Sequence, residues 1–229
     1  MKPQFSEYEL LRYLNQYNQY SSKIQLLTPS AFQLLEIDAN WHEILSCHNR
    51  EERVKRTIQL WQDYVPEFRS FIQFMRQKLV SIDAIFFKDT IAIIYSFQLD
   101  HAITYCAGLL PYDIEHFVIN ELPKPLQTFY RFIHDGFIFY PNEDSGLLSC
   151  DDFVCLADRI SQDKYFPNYD VTSSYLIFSN SYGDGIVYDI NTTPIMGFTY
   201  IYDDHKKCNF DEDPINTMCV WLKTLMDSD

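Results

Sequence analysis

Several stretches of this chain carry side chains of the types that do chemistry in proteins. His134-Asp135-Gly136 sets an imidazole beside a carboxylate, a pairing used to ligate a divalent metal for phosphoester hydrolysis. Such a centre needs further His and Asp ligands on neighbouring helices, and His42, His48, His101, His116 and His205 show no spacing that supplies them. The plainer expectation for His134 is a surface side chain at a helix end. The densest group of hard oxygen ligands runs from Asp203-Asp204-His205-Lys206-Lys207-Cys208 to Asp211-Glu212-Asp213. A calcium loop of the EF-hand type alternates its ligands around a mid-loop glycine, which is absent here, and two central lysines oppose a cation. The segment reads as a solvated or partner-facing acidic loop. A Cys–His nucleophile pair meets in space and not in sequence, so adjacent Cys47-His48 is no argument for one, and no known signature surrounds any cysteine. Neither GxxxxGK[ST] nor GxGxxG occurs, which leaves a phosphate cradle unsupported. The expectation is therefore no catalytic residue, no metal and no cofactor.

The elements that would position these residues fall into two regions. Glycine is absent before Gly108, and all six glycines lie between Gly108 and Gly197. This predicts a helical region over 1–108 and a turn-rich, strand-containing region over 111–229. In the first, helices are expected over Phe5–Tyr20, over Ala31–Cys47 with Ser30 as cap, over Glu51–Val65, and from Pro66 to about Leu79. Arg50 to Arg56, REERVKR, interleaves Glu with Arg and reads as a helix face paired at i, i+4, not a nucleic-acid surface. Ile82 to Cys106 is apolar nearly all round and reads as one or two buried helices, with a strand at Ile91–Tyr95 as the open alternative. In the second region a short helix covers Asp113–Asn120, and Pro125 opens another through Ile133 that Gly136 stops. Strands follow at Phe137–Tyr140, Tyr175–Ser179, Ile186–Ile190 and Met196–Tyr202, with Gly183-Asp184-Gly185 as a hairpin turn. A helix over Pro214–Met226 closes the chain, with Met218, Trp221, Leu222 and Leu225 on one stripe.

Composition bounds what such a chain does. Its 229 residues, 47% hydrophobic and 17% aromatic, suffice for one large core or two small ones. The N-terminus lacks a basic region followed by a long apolar stretch, and Lys88 and Asp89 interrupt the most apolar segment. No signal peptide and no membrane span are expected, and six scattered cysteines fit free thiols in a cytoplasmic protein. The formal net charge is −14. Residues 1–110 carry 11 basic and 12 acidic side chains, whereas 111–229 carry 7 and 20, so the second region holds a net −13. A field of that sign repels nucleic acid and draws basic partners. The bland account of the same charge is solubility alone.

Three blocks of the second region resemble the SUKH superfamily. They are LPKPLQTFYRFIHDG (Leu122 to Gly136), YLIFSNSYGDGIVYDI (Tyr175 to Ile190) and PINTMCVWLKTL (Pro214 to Leu225). In that family an LP step leads into a helix ending in NG or DG, a strand and a glycine-rich hairpin follow, and an amphipathic helix closes the domain. The resemblance covers about residues 111–229. The stretch from Pro141 to Asp170 looks like an insertion, and nothing in the resemblance speaks for the region before residue 110. It implies a protein-binding domain without a catalytic site, of the kind that in bacteria neutralises a cognate polymorphic toxin.

Together these readings lead to an α+β protein: a helical N-terminal region, then a SUKH-like domain with a mostly antiparallel sheet flanked by helices. The expected function is that of a non-enzymatic immunity protein occluding a basic toxin domain, such as a nuclease. Contact is expected through Tyr182, Asp184, Asp203, Asp204, Asp211, Glu212 and Asp213. A regulatory or scaffold protein with a cellular partner, and an enzyme with its site between the two regions, are the alternatives.

Overall fold

The structure is a computed structural model that describes residues 5–16, 24–35, 37–87, 90–111, 116–140, 145–159, 171–180, 183–193, 195–200, 208–209 and 213–227. Its architecture is α+β, built on one sheet of ten strands. Helices α1 (Glu7–Gln16), α2 (Ala39–Leu45), α3 (Arg50–Tyr64) and α4 (Arg69–Lys78) precede strands β1 (Leu79–Phe87), β2 (Thr90–Gln98) and β3 (Ile103–Leu109). Helices α5 (Phe117–Glu121) and α6 (Lys124–Thr128) follow, then β4 (Phe137–Tyr140), β5 (Gly146–Leu147), β6 (Val154–Cys155) and α7 (Leu156–Arg159). Strands β7 (Ser174–Ser179), β8 (Gly185–Asp189), β9 (Met196–Tyr200) and β10 (Cys208–Asn209) lead into α8 (Pro214–Asp227). The strands lie in the order β1-β2-β3-β4-β5-β7-β8-β9-β10, with β6 also paired to β7, and neighbours run antiparallel.

The helical expectation for Ile82–Cys106 is corrected: the segment belongs to strands β1, β2 and β3, and the alternative strand at Ile91–Tyr95 lies within β2. Phe87 pairs with Thr90, the residues on either side of the Lys88-Asp89 step that interrupts the apolar run in sequence. The run looks non-amphipathic because this part of the sheet is covered on both faces. Ile91, Ile93, Tyr95 and Phe97 join the large core under α2, α3, α4 and α8. Ala92 and Ile94 point the other way and pack with Leu10 and Leu14 of α1. Isoleucine suits the result, since branching at Cβ favours the pleated backbone.

The large core draws on both sides of residue 110. Trp61 of α3 is fully buried. It meets Phe129 edge-on at 5.6 Å and Phe137 at 5.5 Å. β3 and β4 are hydrogen-bonded neighbours, with Cys106 opposite Phe139.

Local boundaries differ from expectation where caps decide them. The helix foreseen over Ala31–Cys47 is a 3₁₀ turn, Pro29–Leu34, followed by α2, whose cap is the Asp38 carboxylate accepting from the backbone N–H of Asn40 and Trp41. Asn49 caps α3 by accepting from Glu52 N–H. The helix entered at Pro125 begins at Lys124 and continues past Thr128 as a π turn over Phe129–Ile133. Gly136 follows at φ +90°, a conformation only glycine adopts without strain, and turns the chain into β4. Residues 17–20, 36, 88–89, 113–115 and 201–202 of the expected elements lie outside the described residues. Among the described residues no helix is long and apolar enough to cross a membrane.

Candidate functional site

His134, expected at the surface, is fully buried at the centre of the core. Its Nδ1 lies 3.0 Å from the Leu109 carbonyl, which only accepts, so the ring carries its proton there. Nε2 is then the acceptor for the Tyr95 hydroxyl at 2.8 Å, and that oxygen in turn accepts from Trp61 Nε1–H at 2.9 Å. Trp41 stacks on the imidazole at 4.9 Å and donates its indole N–H to the Ile133 carbonyl. Burial holds the imidazole neutral and lowers its pKa to about 3, against the rise that its bond to Leu109 would give. Gly108 makes room for the ring, since a Cβ there would sit 2.5 Å from it.

Asp135 is turned the opposite way and is almost fully buried. Its carboxylate accepts from the Cys150 N–H at 2.9 Å and faces the Cys150 thiol at 3.6 Å. Burial raises its pKa above the usual carboxylate range, opposed by those two Cys150 bonds. Both nitrogens of His134 are spent on the fold, so the ring offers no vacant base, acid or ligand position. The His-Asp pair pins the end of the α6 helix to β2, β3 and the Leu148–Cys150 segment.

The interior also holds an ion pair. Arg53 reaches Asp83 of β1 at 3.2 Å, with both side chains nearly inaccessible. The Ser81 hydroxyl donates to the second Asp83 oxygen. Burial raises the Asp83 pKa, and the Ser81 bond and Arg53 oppose that rise. The REERVKR face is thus divided: Arg56 pairs with Glu52 at i, i+4 as expected, whereas Arg53 turns inward. The thiols of Cys106, Cys150 and Cys219 are buried, and those of Cys47 and Cys155 are half-buried. Among the described residues no three His, Cys, Asp or Glu side chains converge as a metal ion requires.

Of the acids and tyrosine expected at a partner surface, Tyr182, Asp203, Asp204, Asp211 and Glu212 lie outside the described residues. Asp184 and Asp213 are described, and both hold local structure. Asp184 closes the β7–β8 turn: its N–H donates to the Asn180 side-chain oxygen at 3.0 Å, and its carboxylate accepts from the Asn180 amide at 3.3 Å. Asp213 caps α8, accepting from Ile215 and Asn216 N–H at 3.2 and 3.3 Å. They stand at opposite ends of the β8–β9 ladder. Gly185, beside Asp184, pairs with Tyr200, whereas Asp213 acts electrostatically on Tyr188, opposite Gly197. Three residues of strand separate the two levels, roughly 10 Å.

The ion pairs between described residues all join side chains within residues 7–100. The acidic excess lies beyond them, and Glu121, Asp151, Asp152 and Asp158 are exposed. No family model, curated protein or solved structure matches this chain.

Proposed function

We propose that this chain is a non-enzymatic binding protein of the SUKH type, an immunity protein that neutralises a basic toxin domain by covering its active surface. The observation that carries the proposal is the placement of charge. Thirteen of the fourteen net negative charges belong to residues 111–229. A nuclease attracts phosphate with a basic groove, and an acidic protein competes for that groove through the same field. The interior supports the reading as well, because the His134-Asp135 pair is committed to internal bonds.

A standard interface covers about 800 Å² on each partner. That is broad enough to take in both ends of the β8–β9 ladder. The test is affinity capture at low salt on the immobilised protein, followed by a salt gradient. The proposal expects a basic protein to elute late and to gain nuclease or other toxic activity on release. Recovery of an acidic or neutral housekeeping protein alone would point instead to the scaffold alternative.

A further inference from the structure

Phe117 opens α5 with 57% of its surface exposed, while its neighbours Val118 and Ile119 are fully buried and fix the helix. Its ring meets Tyr175 of β7 edge-on at 5.6 Å and stacks with His116 at 5.2 Å. Phe153 meets His116 edge-on at 5.5 Å and the buried Tyr130 at 5.3 Å. A continuous chain of rings therefore runs from the core to the surface, and it holds Phe117 rigidly where water meets it. A polar residue at 117 would serve the fold as well, because Val118 and Ile119 already anchor the helix.

The surroundings of this patch are acidic. Asp151 and Asp152 are exposed immediately before Phe153, and Glu121 is exposed four residues after Phe117. Asp158 is exposed and acts electrostatically on the Tyr175 hydroxyl. Among the described residues of 116–159 these four acids are exposed, against two exposed basic side chains, Lys124 and Arg131. Aromatic faces ringed by carboxylates suit a planar cation: a guanidinium stacks on a ring while its N–H groups reach the acids. Lysine, a compact and strongly hydrated charge, gains less from the rings.

We infer that the patch centred on Phe117 and Tyr175 is the docking point for arginine side chains of the basic protein partner. The inference rests on the proposed function and adds the place and the residue type that are recognised. It sets the aromatic centre at the Tyr175–Tyr188 end of the sheet, away from the turn that holds Asp184.

The test is binding of nona-arginine and nona-lysine peptides at low salt to the full chain. The variants are Phe117→Ala, Phe117→Leu (which keeps apolar bulk without a π face) and Phe86→Ala, which removes a ring of similar exposure at the end of β1. Each variant is first matched to wild type by thermal melt. The expected result is that wild type prefers nona-arginine, that both Phe117 variants lose about five- to tenfold in affinity for it, and that Phe86→Ala changes nothing. Equal affinity in Phe117→Leu and wild type, with nona-arginine still bound, would overturn the patch and leave the basic-partner reading standing. No binding of either peptide to wild type at low salt would overturn the basic-partner reading itself.

Discussion

Replacing His134 by glutamine tests the buried network and the charge state of its central ring together. In the folded protein burial lowers the imidazole pKa from 6.5 to about 3. The folded state therefore excludes a proton that the unfolded chain accepts, so stability is complete above pH 6.5 and is lost as pH falls from there toward 3. One pKa unit corresponds to about 1.4 kcal/mol, and linkage over this interval gives a loss of about 2 kcal/mol between pH 7 and pH 5. The glutamine variant lacks that titration. It also lacks the ring stacked between Trp41 and Phe137, a packing and hydrogen-bond loss of about 2–4 kcal/mol at neutral pH. Urea unfolding followed by tryptophan fluorescence measures both proteins, because Trp41 and Trp61 flank the ring. Groups common to both cancel in the difference. The stability gap should shrink by about 2 kcal/mol from pH 7 to pH 5. A gap that stays constant would refute the buried, neutral imidazole.

Tyr95→Phe removes the oxygen that Trp61 donates to and that donates to His134, so two buried groups lose their partner. Denaturant titration should show a loss of about 2–5 kcal/mol. Arg53→Met strands the Asp83 carboxylate and should cost about 3–5 kcal/mol, whereas Arg53→Met with Asp83→Leu should recover most of it. Equal stability of the single and double variants would contradict that pairing. Gly108→Ala drives a methyl group into the His134 ring and should lower stability by about 1–3 kcal/mol. Asp213→Ala removes the cap of α8 and should cost about 1 kcal/mol. Charge reversal at Asp213 therefore perturbs the fold as well as the surface, and a clean test of surface charge avoids that position.

The helices were legible where period and cap agreed. α3 follows Val54, Ile58 and Trp61, and α8 buries Met218 and Leu222 with Trp221 and Leu225 half-covered, as the sequence stripe implies. Strands β4, β7, β8 and β9 follow their short apolar runs bounded by turn residues. Strands β1 and β3 were not legible as strands, and β2 only as the alternative at Ile91–Tyr95, because cover on both faces erases the period-two alternation. The absence of glycine before residue 108 misled for the same segment, since buried strands need none. His134 misled because its partners are far away in sequence, Tyr95 by 39 residues and Leu109 by 25. Only the fold brings a tyrosine, a tryptophan and a carbonyl around that ring. The aromatic patch was hidden similarly, as Phe117, Phe153 and Tyr175 come from three separate segments. Its one local sign was Asp151-Asp152-Phe153, two acids against an aromatic.

The most direct test of the central claim is titration of the captured partner's activity with increasing amounts of this protein. The account predicts a linear fall that reaches zero at one equivalent and reverses at high salt, as occlusion through charge requires. Complete loss of activity at a small fraction of an equivalent, persisting after the protein is removed, would contradict it and show that this chain acts as an enzyme on its partner.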